Sequence, residues 1–462
     1  FASFVINFKK MNKIKPSLAK GTRDFGPEEM ELREYVINIF RNVFDLFGFR
    51  SIQTPSIENI DTLTGNYGDE GDKLIFRILN SGDFLKKSDK NDFKESLLLK
   101  SKISNKALRY DLTVPLARFV SMNQDKISIP FKRYQIQPVW RADRPQKGRF
   151  REFYQCDVDY IGTNSVVCEA EIIDLVYTLF NKLKIDGIDF KLNNRKILQG
   201  IAEVYGLSND FNDLCILIDK IDKIGLEKFE KELIKKGYNS KSVRSITKLF
   251  NFNGSNLEKI NFIEKIISDS EIGMDGIKEI KKLIEVNNNF TIDFSLARGL
   301  SYYTSSIFEV KSNKSNIGSL CGGGRYDNLT ENFGLKNMPG IGISFGIERI
   351  FELLKDKEDP FIEFLKNKIL ISYLDSKYLP NCFSIAKKLR DENISVDLIS
   401  DDIKLKKQLK YANKNNISYV MIIGEDEIKS NSYTFKNMEN GTQVKNSIDE
   451  IIATMKSLKT NV

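Results

Sequence analysis

At 462 residues the chain is long for a single core, so two or three domains are expected. Hydrophobic residues (41%) and charged residues (29%) stand at ordinary globular levels, and no apolar run reaches the length of a membrane span. The net charge of +8 leans toward an anionic partner such as RNA, while the total absence of histidine excludes Ser-His-Asp triads, Cys-His pairs, imidazole bases and His-ligated metals.

Chemistry in such a chain must rest on positioning and fixed positive charge, or on carboxylates, Lys or Tyr. Compositional drift, visible in the many Lys, Asn and Ile residues, is the plain explanation for the missing imidazoles. Cys156, Cys168, Cys215, Cys321 and Cys382 show no C-x-x-C spacing, so disulfides and a zinc knuckle are not expected and a reducing cytosol fits.

In chain order, residues 1–16 read as a disordered leader, too short and interrupted in their apolar part for a signal peptide. EEMELREYVINIFRNVFDLF (28–47) puts Val36, Phe40, Val43 and Phe47 on one helical stripe ended by Gly48. GFRSIQTPSIE is then an extended segment. The polar run from 80 to 106 reads as a loop or variable insertion. FKRYQIQPVWR (131–141) and REFYQCDVDYIG (151–162) suit two strands of a hairpin with a long basic tip. A helix over 165–184 and a strand near 190–194 follow. Residues 195–288 are Lys-rich, helical and free of obvious chemistry. After DKEDP, strands alternate with helices, which predicts a small, mostly parallel α/β domain.

The hairpin carries the first constellation. Side chains two apart share a strand face, so Phe153, Gln155, Asp157 and Asp159 point one way and make a poor core face but a good ligand floor. Arg141 and Arg149 beside them could grip phosphates by bidentate hydrogen bonds; a hydrated hairpin rim is the bland alternative. LARGLSYYTSSIFEV (296–310) has strand composition, with Tyr302 and Tyr303 on opposite faces; paired tyrosines are as readily core packing. Gly322, Gly323 and Gly324 allow close backbone approach to a ligand, yet three glycines alone more often mark a flexible turn. GIGISFGIERIFELL (340–354) alternates Gly342, Ser344 and Gly346 before a helix whose first turn holds Arg349. A cation there is locally unfavourable, which argues for a compensating phosphate. Asp111 and Thr113 in RYDLTVPLAR lie at a helix start, where an N-cap is the plainer role for Asp111.

Taken in order, these segments resemble the class II aminoacyl-tRNA synthetases, and within them the histidyl-tRNA synthetase family. The 28–58 segment looks like motif 1, the 131–157 hairpin like motif 2 and GIGISFGIERI like motif 3; GTRDF, RYDLTVPLAR, LARGLSYYTSSIFEV, CGGGRYD and KKQLKYANKNNISYVMIIGEDE match the family as well. The resemblance implies an α+β catalytic core with an antiparallel sheet (17–194 and 289–358), a helical insertion (195–288) arching over a tRNA acceptor stem, and a C-terminal α/β anticodon-binding domain (366–462) whose Lys404, Lys407 and Lys410 meet phosphates or simply face solvent. It implies a cytoplasmic homodimer joined through motif 1 that charges tRNA with histidine through a histidyl-adenylate. ATP is a substrate, and Mg²⁺ is held mainly by its phosphates rather than by protein ligands.

By the same resemblance, Arg141 would bind the ATP α-phosphate, Arg149 the outer phosphates, Arg349 the γ-phosphate, and Phe153 would stack on adenine. Arg298 would sit on the reacting α-phosphate, and Asp111, Thr113, Gln155, Asp159, Tyr302 and Tyr303 would form the histidine pocket. Ser301 departs from the family's usual acidic residue or Asn. The rival is a non-catalytic regulatory subunit of ATP phosphoribosyltransferase, which shares the catalytic fold but generally lacks the tail domain and parts of the substrate motifs. A pure RNA-binding module, favoured by charge alone, would not need the Gly-Ser-Gly strand.

Overall fold

The computed structural model describes residues 15–64, 73–145, 148–298, 302–315, 317–355 and 368–460. The expected leader up to residue 14, and Ser301, lie outside the described residues. The chain divides into two compact units, one up to Leu353 and one from Leu354 onward.

The first unit opens with α1 (Pro27–Leu46), which starts on a proline and places Glu28 and Glu29 in its first turn, where the helix dipole favours anions. It ends as the chain turns at Gly48, the Phe49 N–H donating to the Phe44 carbonyl at 2.9 Å. Its inner stripe is Val36, Phe40, Val43 and Phe44; Phe47, expected on that stripe, is only half-buried. Short strands β1 (Arg50–Ser51), β2 (Ile57–Asn59), β3 (Arg77–Ile78) and β4 (Lys106–Leu108) frame helices α2 (Ile60–Leu63) and α3 (Ser96–Ile103). The 80–106 segment is therefore not a plain loop. Its helix α3 buries no side chain and leaves Leu97 74% exposed, so it lacks the two-faced pattern by which a sequence announces a helix.

Next come α4 (Thr113–Asn123), the hairpin β5 (Phe131–Trp140) and β6 (Glu152–Ile161), α5 (Val167–Lys182) and β7 (Ile188–Asn194). Seven helices follow: α6 (Arg195–Val204), α7 (Phe211–Ile218), α8 (Ile221–Ile224), α9 (Leu226–Lys235), α10 (Ser240–Phe250), α11 (Asn256–Ile266) and α12 (Glu271–Val286). The chain then returns through β8 (Thr291–Ile292), β9 (Ser306–Ser312), β10 (Ser319–Tyr326), β11 (Gly340–Phe345) and α13 (Ile347–Lys355).

One eight-stranded sheet, in the order β1-β5-β6-β11-β10-β9-β7-β8, organises this unit. Its six inner strands pair antiparallel, and only the edge strands β1 and β8 join in parallel. On one face α1 packs down: Phe40 meets Phe345 at 5.3 Å and Phe44 meets Tyr134 at 5.1 Å between ring centroids. On the face opposite α1, register places Gln135, Asp157 and Ser344 in one cross-strand row and Arg133, Asp159 and Gly342 in the next.

The Gly322–Gly324 run lies inside β10 rather than in a flexible turn. The reason is steric. A Cβ on Gly323 would stand 1.9 Å from the Gly342 carbonyl oxygen of the neighbouring strand, and one on Gly322 would stand 2.6 Å from Arg298 Nη1. The strand expected over 296–310 begins only at Ser306; ahead of 296 the chain turns at Asp293, its carboxylate accepting the Ser295 N–H at 2.9 Å.

In the second unit β12 (Lys368–Tyr373) pairs in parallel with β13 (Ser395–Leu398) and β14 (Tyr419–Ile423), as alternating strands and helices lead one to expect. An antiparallel hairpin, β15 (Tyr433–Asn437) and β16 (Gln443–Asn446), extends the sheet. Helices α14 (Leu379–Asp391), α15 (Leu405–Lys414), α16 (Glu425–Ser430) and α17 (Ile448–Thr460) complete it. Buried Gln408 fixes α15 to β12 by taking the Tyr373 N–H at 3.1 Å and donating to its carbonyl at 2.9 Å, which leaves Lys404, Lys407 and Lys410 exposed. No helix among the described residues is long and apolar enough to cross a membrane.

Overpacking a core contact usually costs about 1–3 kcal/mol, and the 1.9 Å approach at Gly323 is more severe than most. Gly323→Ala should therefore lower the first unit's calorimetric transition strongly or prevent soluble expression. A melt indistinguishable from the parent's would show that the two backbones can part.

Candidate active site

The polar face of the sheet carries an anionic floor. Asp111, Asp157 and Asp159 are all buried, and the guanidinium set among them is that of fully buried Arg133. Arg133 Nη2 lies 2.7 Å from Asp159 Oδ2, and the Tyr326 hydroxyl donates to the other oxygen of the same carboxylate. Asp159 is thus well supported. The Asp157 carboxylate is not: neither oxygen meets an aligned donor, and the Gln155 carbonyl oxygen beside it is also unpartnered, although the Gln155 amide donates to Ser344 Oγ at 3.2 Å. Burial pushes the Asp157 carboxyl up to about 7, reinforced by the charges of Asp159 and Asp111; Arg133 and the Ser344 hydroxyl across the ladder pull the other way. Buried carboxylates outnumbering their cations mark this floor as a seat for a cation.

Asp111 does cap a helix, its Oδ1 accepting the Val114 N–H at 3.1 Å, and Thr113 is the first residue of α4. Capping and pocket lining coexist here, since the Asp111 charge is felt by both Asp157 and Tyr302. Tyr302 and Tyr303 do not point to opposite faces. Lying before the strand begins, their rings touch at 4.7 Å, and Tyr302 also meets Tyr326 edge-on at 6.3 Å. Burial raises both phenols, so both stay neutral hydrogen-bonding groups.

Beside the floor stands a cationic rim. Arg141 follows β5; its Nε donates to the Tyr110 carbonyl at 3.1 Å, and its guanidinium lies 4.4 Å from the Tyr110 ring and 5.2 Å from the Phe153 ring. Arg149, about half exposed, forms a two-point pair with Asp143 at 2.8 and 3.0 Å. Arg298 lies over Gly322, 4.0 Å from Glu309. Arg349 donates to the Ser319 carbonyl, and burial together with the charges of Arg298 and Arg149 lowers its hold on its proton, with Glu309 opposing. Mutually repelling guanidiniums gathered at a helix N-terminus suit a polyanion.

A second carboxylate fixes this rim. Glu348, next to Arg349, accepts two bonds from Arg33 of α1 at 3.0 and 2.6 Å and one from Arg23 at 2.6 Å. Arg23 in turn lies 3.4 Å from the Phe150 ring of the hairpin tip.

Residues 21–350 match the model of the histidyl-tRNA synthetase family, and residues 368–458 match that of an anticodon-binding domain. The chain belongs to the histidyl-tRNA synthetase family. It is 47% identical to the histidine–tRNA ligase of Cytophaga hutchinsonii, with 95% of this chain and 99% of that one covered. It is 49% identical to the ligase of Christiangramia forsetii, covering 93% and 96%. The crystal structure of histidyl-tRNA synthetase from Nostoc sp. superposes with a TM-score of 0.82 at 27% identity, covering 97% of this chain and all of that one. A Bacillus halodurans protein described as an ATP phosphoribosyltransferase regulatory subunit/histidyl-tRNA synthetase shares the fold, with a TM-score of 0.68 at 20% identity.

Of the positions that the histidyl-tRNA synthetase motifs single out, Asp111, Gln155, Asp159, Tyr302 and Tyr303 gather around the anionic floor, Arg141, Phe153, Arg298 and Arg349 around the rim, and Thr113 stands two residues after Asp111 at the start of α4. Arg149 reaches the rim electrostatically while held by Asp143. Motif reading did not assign Asp157 a site role, although its place in the alternating row was visible. Arg133 and Tyr326, which neutralise Asp159, carried no local signal.

The raised pKa of Asp157 gives a signed pH dependence. Its proton is held more tightly in the folded state, so its contribution to stability is full below about pH 4 and is lost as pH climbs through about 7. Asp157→Asn should raise the melting temperature of ligand-free protein at pH 8, change it little at pH 5, and flatten the slope between them. An Asn variant that melts lower than the parent at pH 8 would contradict a buried carboxylate short of donors.

Proposed function

We propose that this protein attaches histidine to its cognate tRNA in two steps, consuming ATP and releasing pyrophosphate and AMP through a histidyl-adenylate. The division of charge carries the reading: an anionic floor short of cations abuts a rim of arginines short of anions. A small amino acid with a basic side chain spans that boundary, its ammonium and imidazole N–H groups on Asp111, Asp157, Asp159 and Gln155, with Thr113, Tyr302 and Tyr303 closing the pocket. Its carboxylate then points to the rim, where Arg141 and Arg298 hold the ATP α-phosphate, Arg149 and Arg349 the outer phosphates, and Phe153 stacks on adenine. Arg149 exchanges Asp143 for phosphate when the nucleotide enters.

In the first step a carboxylate oxygen of histidine attacks the α-phosphorus in line, a P–O bond forms, and the bond to pyrophosphate breaks. The attacking group is already ionised, so no general base is needed, and a chain without imidazole meets the requirement by alignment and charge neutralisation. Mg²⁺ carried on the triphosphate would supply further neutralisation there; the charge of Glu309 reaches both Arg298 and Arg349. In the second step a terminal ribose hydroxyl of the tRNA attacks the adenylate carbonyl, AMP leaves, and a phosphate oxygen takes the hydroxyl proton.

On this reading residues 17–194 and 289–358 form the catalytic core and 195–288 a helical insertion against the acceptor stem. Residues 366–462 bind the anticodon, with Lys404, Lys407 and Lys410 meeting RNA phosphates. The motif 1 segment joins two copies into a homodimer working in the cytoplasm.

ATP–pyrophosphate exchange assayed against all twenty amino acids should respond to histidine alone. Exchange with another amino acid, or with none, would overturn the assignment, and none would favour the regulatory-subunit reading. Arg298→Ala should cut exchange at least about 10³-fold, on the scale of losing a preorganised charge-stabilising group, while tRNA binding persists; unchanged exchange would remove Arg298 from the site.

A further inference from the structure

The loop that carries Tyr302 and Tyr303 is held from two sides. Toward the sheet, the Thr304 N–H donates to the Arg325 carbonyl at 2.8 Å, and Arg325 is itself paired with Glu169 at 2.7 Å. From the other side comes a side chain of the seven-helix segment, Glu279 on α12. Its carboxylate accepts from the Ser305 hydroxyl, from Asn194 Nδ2 at 2.7 Å and from Lys196 Nζ at 2.6 Å. Ser305 and Asn194 are both buried; Asn194 Nδ2 also reaches Ser305 Oγ at 3.1 Å, and the Ser305 carbonyl accepts the Arg195 N–H at 2.9 Å. Burial alone would raise the Glu279 carboxyl, yet these donors hold it below its usual range, so it stays ionised at neutral pH.

The helices behind this carboxylate are packed backbone against backbone. A Cβ on Gly200 of α6 would lie 2.8 Å from the Gly273 Cα of α12, and one on Gly276 would lie 3.0 Å from the Ile197 backbone nitrogen. Ser270, which caps α12, also donates to Glu203 of α6. Backbones packed this closely transmit displacement rather than absorb it. Asn194 ends β7 and caps α6, its side-chain oxygen accepting the Lys196 N–H at 2.9 Å. Glu279 therefore sits where the rigid α6–α12 pair meets the tyrosine loop.

We propose that Glu279 is a positioning residue through which the seven-helix segment sets the loop bearing Tyr302 and Tyr303, so that what binds the helices and what binds the amino-acid pocket are linked in free energy. The proposal rests on the reading that these tyrosines line the amino-acid pocket. Linkage of this kind is reciprocal: RNA docked on the helices tunes the pocket, and a filled pocket stiffens the helices.

Pyrophosphate exchange titrated separately with histidine and with ATP tests the role. Glu279→Ala should raise the KM for histidine about tenfold and leave the KM for ATP within about twofold, since lost positioning of one substrate's pocket appears as a split between the two. Glu279→Gln keeps an oxygen for Ser305 and should recover most of the loss, while Lys278→Ala, one residue away in an exposed pair with Asp275, should change neither value. A histidine KM unchanged in Glu279→Ala overturns the proposal. Should that variant fail to fold, Ser305→Ala removes only the hydroxyl and must give the same selective rise; parent-like values overturn it equally. Hydrogen exchange on ligand-free protein separates this claim from the functional reading. The 304–307 amides should exchange about tenfold faster in Glu279→Ala, through easier local opening, whatever the enzyme activates. Equal protection there overturns the positioning role, whereas a parent protein that activates no amino acid overturns only the assigned reaction.

Discussion

One carboxylate, that of Glu348, ties together parts of the chain that must agree before the cationic rim can take its shape. Arg33 reaches it from the first helix and Arg23 from the segment before it, and Arg23 lies against Phe150 at the tip of the hairpin. The acid sits one residue before Arg349, so the same turn that is neutralised from behind presents a guanidinium in front. Buried ion pairs do little for net stability because desolvation offsets attraction, but removing one partner strands a charge and is costly. The value of this triad lies in register: helix, hairpin tip and final strand are held in one arrangement.

With that frame fixed, the sheet separates two electrostatic environments a few residues apart. Toward the Asp157 end, burial makes negative charge expensive and a cationic guest welcome. Toward Arg349, crowded guanidiniums do the opposite. Glycine makes the contact between them possible, since Arg298 occupies the space a side chain at Gly322 would fill. An enzyme of this design needs no titrating imidazole, which removes the apparent difficulty posed by a chain without histidine.

What could be read in advance follows from distance along the chain. The alternation of Phe153, Gln155, Asp157 and Asp159 is local, and it yielded the strand, its face and its polar character. The tail's alternating strands and helices were equally plain, although the β15–β16 hairpin was not. The glycine strand was ambiguous because its need for glycine at position 323 arises from Gly342, nineteen residues on, and becomes visible only once the strands are paired. The 296–310 segment has strand composition interrupted by Arg298-Gly299, and β9 starts only at Ser306, after Ser305 has bonded to Glu279 of α12. Helix α3 hid because it buries nothing. The Glu348 triad spans 325 residues and could not be inferred from any window of sequence.

The buried, donor-poor Asp157 carboxyl has a thermodynamic consequence. With its carboxyl poised near neutrality, a substantial share of resting molecules carry a proton there. On the proposed reading, an ammonium or imidazolium arriving beside it would force ionisation, and the displaced proton would pass to the surrounding solution. Amino-acid uptake would then be an acid-releasing event, and its apparent heat in a calorimeter would vary with the ionisation enthalpy of whichever buffer receives that proton.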